Sequence, residues 1–133
     1  MDQDKIFHRL LRIKKTALAK YSQFHVASIL ETVDGELFTG HNIEFSSYGL
    51  TICAERVALF KALSEGRRQF SRIYILSDAK APCPPCGMCR QALMDYAPGL
   101  EVVMYGSGAE VKRMSIADLL PYAFTPDMLP GDS

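Results

Sequence analysis

Three of the four cysteines fall within PCPPCGMC, at positions 83, 86 and 89, and the fourth, Cys53, lies in LTICAERVAL, thirty residues before the first of them. Any fold for this chain has to account for that spacing. The N-terminus MDQDKIFHRLLRIKK has no apolar leader region and no small-residue cleavage site. No apolar run reaches the roughly 18 residues of a membrane span, so the expectation is a cytoplasmic protein without a membrane partner. In a reducing compartment clustered cysteines serve as metal ligands or redox groups more often than as structural disulfides. A chain of 133 residues is expected to form a single domain over 1–133. It buries roughly two-thirds of its unfolded surface and needs no disulfide to hold its core. Lys plus Arg and Asp plus Glu number 15 each. The chain therefore has no net positive field to attract a polyanion, which argues against a nucleic-acid partner.

Hydrophobic patterning alternates between helical and extended periods. Ile6, Leu10, Ile13, Ala17 and Leu18 recur at near-helical spacing, with Lys5, Arg9, Arg12 and Lys15 on other faces, predicting an amphipathic helix over 3–20. VASILETV (26–33) and ELFTGH (36–41) read as strands joined through Asp34-Gly35, a dipeptide that tolerates the positive φ of a two-residue turn. Thr51 is expected to cap a helix over 52–65 that Gly66 stops, and RIYILS (72–77) follows as a strand. A second helix is predicted from Cys86 to Tyr96, then strands over 100–106 and 110–114. Ser115 with Asp118 resembles a capping box for one more helical turn. The end of the chain, 125–133, is rich in Pro, Gly and acid and reads as a loose tail. Strands separated by crossover helices run parallel and are covered on both faces, and the hairpin makes the sheet mixed. The expected class is α/β, a three-layer α/β/α sandwich with a mixed sheet of about five strands. Cys53 and the Cys86–Cys89 pair then sit at two helix N-termini that converge on one thiol cluster.

Three readings of that cluster compete. CGMC as a redox motif lacks the flanking strand and aromatic pattern expected of a thioredoxin-like site. A closed structural site would use Cys53, Cys83, Cys86 and Cys89 as four ligands. An open catalytic site would use Cys53, Cys86 and Cys89 and leave the fourth position to water. Glu55 bears on the choice. Residues i and i+2 of a helix lie about 200° apart, so Glu55 does not coordinate as a simple neighbour of Cys53, but it can lean over the metal from the first turn. Cys-Ala-Glu followed by Pro-Cys-x-x-Cys is the zinc deaminase signature, with the Glu as proton shuttle rather than ligand.

CAER (53–56) and PCGMCRQ (85–91) resemble the small zinc-dependent cytidine deaminases. So do YSQFHVASIL (21–30), GHNIEFSSYGLTICAERVALFKALSEG (40–66) and LLPYAF (119–124), in order along the chain. The resemblance implies a Zn2+ cofactor held by Cys53, Cys86 and Cys89, with Glu55 as the catalytic residue. It implies hydrolytic deamination of cytidine and deoxycytidine to uridine and deoxyuridine. A zinc-bound hydroxide attacks carbon 4 while Glu55 carries a proton to ring nitrogen 3 and then to the departing ammonia. Three thiolates leave zinc with a net negative charge that opposes acidification of its water. Two helix N-termini, each equivalent to about half a positive charge, offset it, and the resemblance assigns Arg56 a hydrogen bond to thiolate sulfur for the same purpose.

By the same resemblance Asn42 and Glu44 grip the sugar hydroxyls, Phe24 stacks on the pyrimidine, and Ala54 and Pro84 complete the substrate-binding set. Phe124 closes the pocket of a neighbouring subunit, which implies a homotetramer with shared active sites. Glu44 would repel a 5′-phosphate, favouring free nucleosides. Four positions depart from the common pattern. Phe45 stands where many members have Asn, and Pro84 where Ser is frequent, though proline keeps the carbonyl that receives the leaving amino group. Ala27-Ser28 replaces Gly-Ala and is expected to narrow or tilt the pocket floor. Cys83 has no family role, and with two prolines after it is expected to remain a free thiol. His8, His25 and His41 are left out of the metal set. One alternative is a deaminase of a cytosine nucleoside antibiotic of the blasticidin S type, disfavoured because known members of that type lack the acid matched by Glu44. The other is a non-catalytic protein with a structural four-cysteine zinc site.

Overall fold

The computed structural model describes residues 2–131; the last two residues of the expected tail lie outside them. Helix α1 spans Gln3–Lys15, capped by Asp2, whose carboxylate accepts from the Asp4 N–H at 3.2 Å. It is shorter than the pattern predicts. Thr16 ends it by donating its hydroxyl to the Ile13 carbonyl at 2.7 Å. Leu18 then turns away to pair with residues 42–44: its N–H donates to the Asn42 carbonyl, and its own carbonyl accepts from Glu44. A helical period cannot register that long-range pairing, which is why Ala17 and Leu18 were assigned to the helix.

Strands β1 (Val26–Thr32) and β2 (Leu37–His41) form the expected hairpin, in register from Glu31 opposite Leu37 to Ala27 opposite His41. Gly35 takes φ +91° in the turn, a conformation that costs glycine little. After a 3-10 turn at Tyr48–Leu50 come α2 (Ala54–Ser64), β3 (Phe70–Ser77), α3 (Gly87–Tyr96), β4 (Glu101–Tyr105), β5 (Val111–Ser115) and α4 (Ile116–Leu119). Ser115 caps α4 by accepting from the Asp118 N–H at 3.0 Å. Thr51 does not cap α2. Ile43 and Ile52 exchange two backbone hydrogen bonds at 3.0 Å, which holds the chain extended through Ile52, and Cys53 becomes the N-cap.

The five strands form one mixed sheet in the order β2-β1-β3-β4-β5, with β3 and β4 the parallel pair joined through α3. Alternate residues of each strand supply two cores. Tyr74, Leu76, Val103 and Tyr105 pack under Ile6 and Leu10 of α1 on one face. Ile73, Ile75, Val102 and Met104 pack with Leu59 of α2, Leu93 of α3 and Ile116 of α4 on the other. Burial on both sides explains why β3 and β4 read as nearly continuous apolar runs. The result is the three-layer α/β/α sandwich that the element order implies.

The topology also positions the site. Because β1 is antiparallel to both β2 and β3, the C-terminal ends of β2 and β3 lie at the same edge of the sheet. The chain leaves β2 towards α2 and leaves β3 into α3, so both helices start at that edge. The seat of α2 depends on Gly40, the cross-strand partner of Ser28. A Cβ on Gly40 would lie 2.3 Å from the Ala54 carbonyl oxygen and 2.8 Å from the Ala58 nitrogen, both backbone atoms that cannot rotate away. Gly40→Ala is therefore expected to destabilise the fold by about 1–3 kcal/mol through overpacking, read as a lowered urea midpoint at unchanged slope.

Candidate active site

Cys53 is the N-cap of α2, Cys86 is the N-cap of α3, and Cys89 is the third residue of α3. Neither N-cap side chain makes a capping hydrogen bond to the backbone of its own helix, which leaves the sulfurs free to face each other. All three sulfurs lie within 4.8 Å of one another, with Cys53 Sγ and Cys86 Sγ 3.6 Å apart. Zinc–sulfur bonds of 2.3 Å in a tetrahedral arrangement place sulfurs about 3.8 Å apart, so the donor set fits zinc. Cys83 lies outside this group; its thiol points to the Pro84 carbonyl at 3.7 Å.

The electrostatics of the bare thiols lead to the same assignment. A hydrogen bond from the Cys89 thiol, with further help from Arg56 and Cys86, lowers Cys53 to about 5. The same contact with Cys53, together with burial, pushes Cys89 well above an ordinary thiol. The sulfurs are thus close enough to perturb one another strongly, and a divalent cation among them would let all three ionise together. Arg56 Nη2 donates to Cys53 Sγ at 3.5 Å, while its buried Nε has no partner among the described residues. Glu55 is 5% exposed. Burial, reinforced by the nearby Cys53 charge, pushes its carboxyl up to about 7.

A cavity of about 300 Å³ opens beside the sulfurs and is lined by Phe24, Asn42, Glu44, Glu55, Pro84 and Cys83 among others. Asn42 and Glu44 reach it already engaged by the chain. The Asn42 amide oxygen accepts from the Val26 N–H at 2.9 Å, and its nitrogen donates to the Phe24 carbonyl at 2.8 Å. Glu44 Oε1 accepts from the N–H groups of Tyr21 and Ser22 at 2.9 Å each, and Oε2 accepts from the Ser22 hydroxyl. That hydroxyl is the main reason the Glu44 carboxyl is held below its usual range. Ser22, inside the YSQF stretch, was not singled out from the sequence, because no local pattern links it to a carboxylate 22 residues away. Ala54 and Phe124 do not line this cavity: Ala54 is fully buried and Phe124 is 54% exposed, its carbonyl accepting from Gln91 Nε2 at 2.8 Å.

Residues 1–106 match the family model described as the cytidine and deoxycytidylate deaminase zinc-binding region. The chain belongs to the cytidine and deoxycytidylate deaminase family. It is 41% identical over 128 residues to a cytidine deaminase of Halalkalibacterium halodurans, covering 96% of this chain and 97% of that one. A cytidine deaminase of Sporosarcina psychrophila is 36% identical over 130 residues, covering 97% and 96%. The crystal structure of cytidine deaminase from Burkholderia pseudomallei superposes with a TM-score of 0.89 at 41% identity, covering 93% of this chain and 100% of that one. The chain is accordingly a zinc-dependent hydrolase of the cytidine deaminase family.

Among its departures from the common cytidine deaminase pattern, Pro84 lines the cavity whereas Phe45 does not. Ala27 and Ser28, expected to narrow or tilt its floor, are not among the residues that line it. Both are fully buried outside it, Ala27 against the α1 side of the sheet and Ser28 with its hydroxyl donating to the Ala54 carbonyl at 2.8 Å. Strand alternation turns them to opposite faces, Ser28 to the face of the cavity-lining Val26 and Ile75. The amide of Asn42 predicts a structural phenotype. Asn42→Ala leaves the Phe24 carbonyl and the Val26 N–H without this partner and should cost about 1–3 kcal/mol, measured as a fall in thermal midpoint with zinc content retained.

Proposed function

We propose that the chain deaminates cytidine and deoxycytidine to uridine and deoxyuridine, releasing ammonia, as a step of pyrimidine salvage. The observation that carries this reading is the buried Glu55 carboxyl placed between a three-sulfur metal site and a cavity of about 300 Å³. Zinc bound by Cys53, Cys86 and Cys89 supplies a Lewis acid that acidifies the attacking water. Glu55, pushed up to about 7 by burial, is matched in affinity to the protons it handles. It takes one proton from the water and delivers it to ring nitrogen 3, then takes the second from the hydroxyl now on carbon 4 and delivers it to the amino group, which leaves as ammonia as the carbon 4 carbonyl forms. Arg56 and the N-termini of α2 and α3 offset the charge of three thiolates. Phe24 stacks against the base, Pro84 offers its carbonyl to the amino group, and the unused lone pairs of Asn42 and Glu44 accept from the sugar hydroxyls. Ala54 joins this set through the backbone of the first turn of α2.

Glu44, ionised and without a basic cluster beside it, disfavours a 5′-phosphate and also the blasticidin S type of substrate. Exposed Tyr48, Leu50, Tyr122 and Phe124 support assembly with further copies, a homotetramer in which Phe124 closes the pocket of a neighbour. None of the helices among the described residues is long and apolar enough to cross a membrane. That fits the cytoplasmic location we propose, with neither membrane nor nucleic acid as a partner.

Loss of ultraviolet absorbance with cytidine, deoxycytidine, cytidine monophosphate and blasticidin S tests the reading. Turnover is expected for the two nucleosides. Glu55→Ala should lower kcat by at least 10²–10⁴ while keeping about one zinc per chain. Cys86→Ser should lose the metal, and Cys83→Ser should keep both metal and activity. A silent wild type whose zinc is lost in Cys83→Ser would mean a closed structural site instead.

A further inference from the structure

Phe24 reaches the cavity from an irregular segment between α1 and β1, in which Gln23 takes φ +62°. The peptide group that follows Phe24 is gripped at both ends. Its carbonyl accepts from Asn42 Nδ2 at 2.8 Å, and its N–H, that of His25, donates to Asp78 Oδ2 at 2.7 Å. The His25 ring places Nδ1 2.7 Å from the same carboxylate oxygen, and Lys14 Nζ of α1 donates to Oδ1 at 2.9 Å.

Asp78 is also the first residue after β3, where the chain begins the loop that brings Cys83, Pro84 and Cys86 to the lining of the cavity. That loop is pinned further on, where Ser107 N–H donates to the Ala79 carbonyl at 3.1 Å. A Cβ on Gly106 would lie only 2.1 Å from the Lys80 carbonyl oxygen. One carboxylate therefore joins the wall that bears Phe24 to the root of the wall that bears Pro84 and Cys86. Asn42 holds the same peptide group from the third side.

We infer that Asp78 is a positioning residue for substrate binding, acting through the His25 N–H to fix the plane from which the Phe24 ring enters the cavity. The inference rests on the nucleoside reading of that cavity. Asp78 touches no reacting atom and lies outside the sulfur group, so its loss should weaken binding of ground state and transition state alike. That signature is a raised KM at nearly constant kcat. Loss of one charge-assisted hydrogen bond corresponds to roughly tenfold.

The test measures cytidine turnover, zinc content and melting temperature for wild type, Asp78→Ala, Asp78→Asn, Phe24→Ala and the Asp78→Ala/Phe24→Ala pair. Asp78→Ala is expected to raise KM about tenfold, with kcat within about threefold and zinc unchanged. Asp78→Asn, whose amide oxygen still accepts from His25, should recover most of the KM. In the Phe24→Ala background Asp78→Ala should add little, because the ring it orients is gone. If Asp78→Ala does not fold, Asp78→Glu replaces it: charge is kept, the acceptor moves by one methylene, and the same rise in KM is expected. An unchanged KM overturns the assignment, as does Asp78→Asn as impaired as Asp78→Ala, or a full Asp78→Ala effect without Phe24. Each of these leaves the functional reading standing if wild type turns over, whereas a wild type inactive on cytidine removes both.

Discussion

Three cysteine sulfurs within 4.8 Å of one another form an electrostatic problem that the surrounding fold is organised to solve. Three thiolates around a divalent ion leave a net charge of −1, and each helix N-terminus returns only about half a positive charge. The arrangement closes because two helices start at the same place, with Cys53 and Cys86 as their N-caps, and because Arg56 donates to the Cys53 sulfur. Remove either helix start and the sulfurs face each other across an uncompensated field. The bare thiols already register that field, since Cys53 falls and Cys89 rises, each shifted by its contact with the other.

The sheet order is what brings the two starts together. A helix N-terminus can follow β2 and another can follow β3 at one end of the sheet only if the two strands point the same way, and the strand between them fixes that by opposing both. β1 does so, antiparallel to both. The seating is tight: Gly40 leaves no room for a methyl group beneath Ala54 and Ala58, and the Ser28 hydroxyl fixes the Ala54 carbonyl beside it. Ala54 lies between Cys53 and Glu55 in the chain. The packing that places the metal ligand therefore also places the carboxyl that works beside it.

Local signals in the sequence were enough for the alternation of elements, the hairpin turn at Gly35, the cap at Ser115 and the convergence of cysteines on two helix starts. Each depends on periodicity or on one residue's conformational preference. The errors share a different origin. The helical period overruns α1 because Leu18 pairs with residues 42–44, and Thr51 reads as a cap because no local pattern shows the Ile43–Ile52 pairing. Asn42 and Glu44 were identified as polar groups near a sugar. Their engagement by Phe24, Val26, Tyr21 and Ser22 depends on partners 16 to 23 residues away, and no pattern in one sequence encodes those. Ser28 is a departure from the family pattern whose effect depends on which face of β1 it occupies, and that face gives its hydroxyl the Ala54 carbonyl of α2.

The same long-range bonds bear on how the cavity can bind tightly with so little rigid structure of its own. Its walls include two irregular segments, around Phe24 and from Asp78 to Cys86, which would ordinarily have to be ordered at the expense of binding energy. Here that ordering is done during folding. Asn42, Glu44 and Asp78 spend part of their hydrogen-bonding capacity on backbone groups of those segments, which fixes the walls, and Asn42 and Glu44 also line the cavity themselves. A polar group shared in this way makes substrate affinity and fold stability two readings of one set of bonds. Changes at these three positions should therefore move KM and melting temperature together. Changes at Glu55, whose carboxyl is governed mainly by burial and ties neither irregular wall segment in place, should separate catalysis from stability.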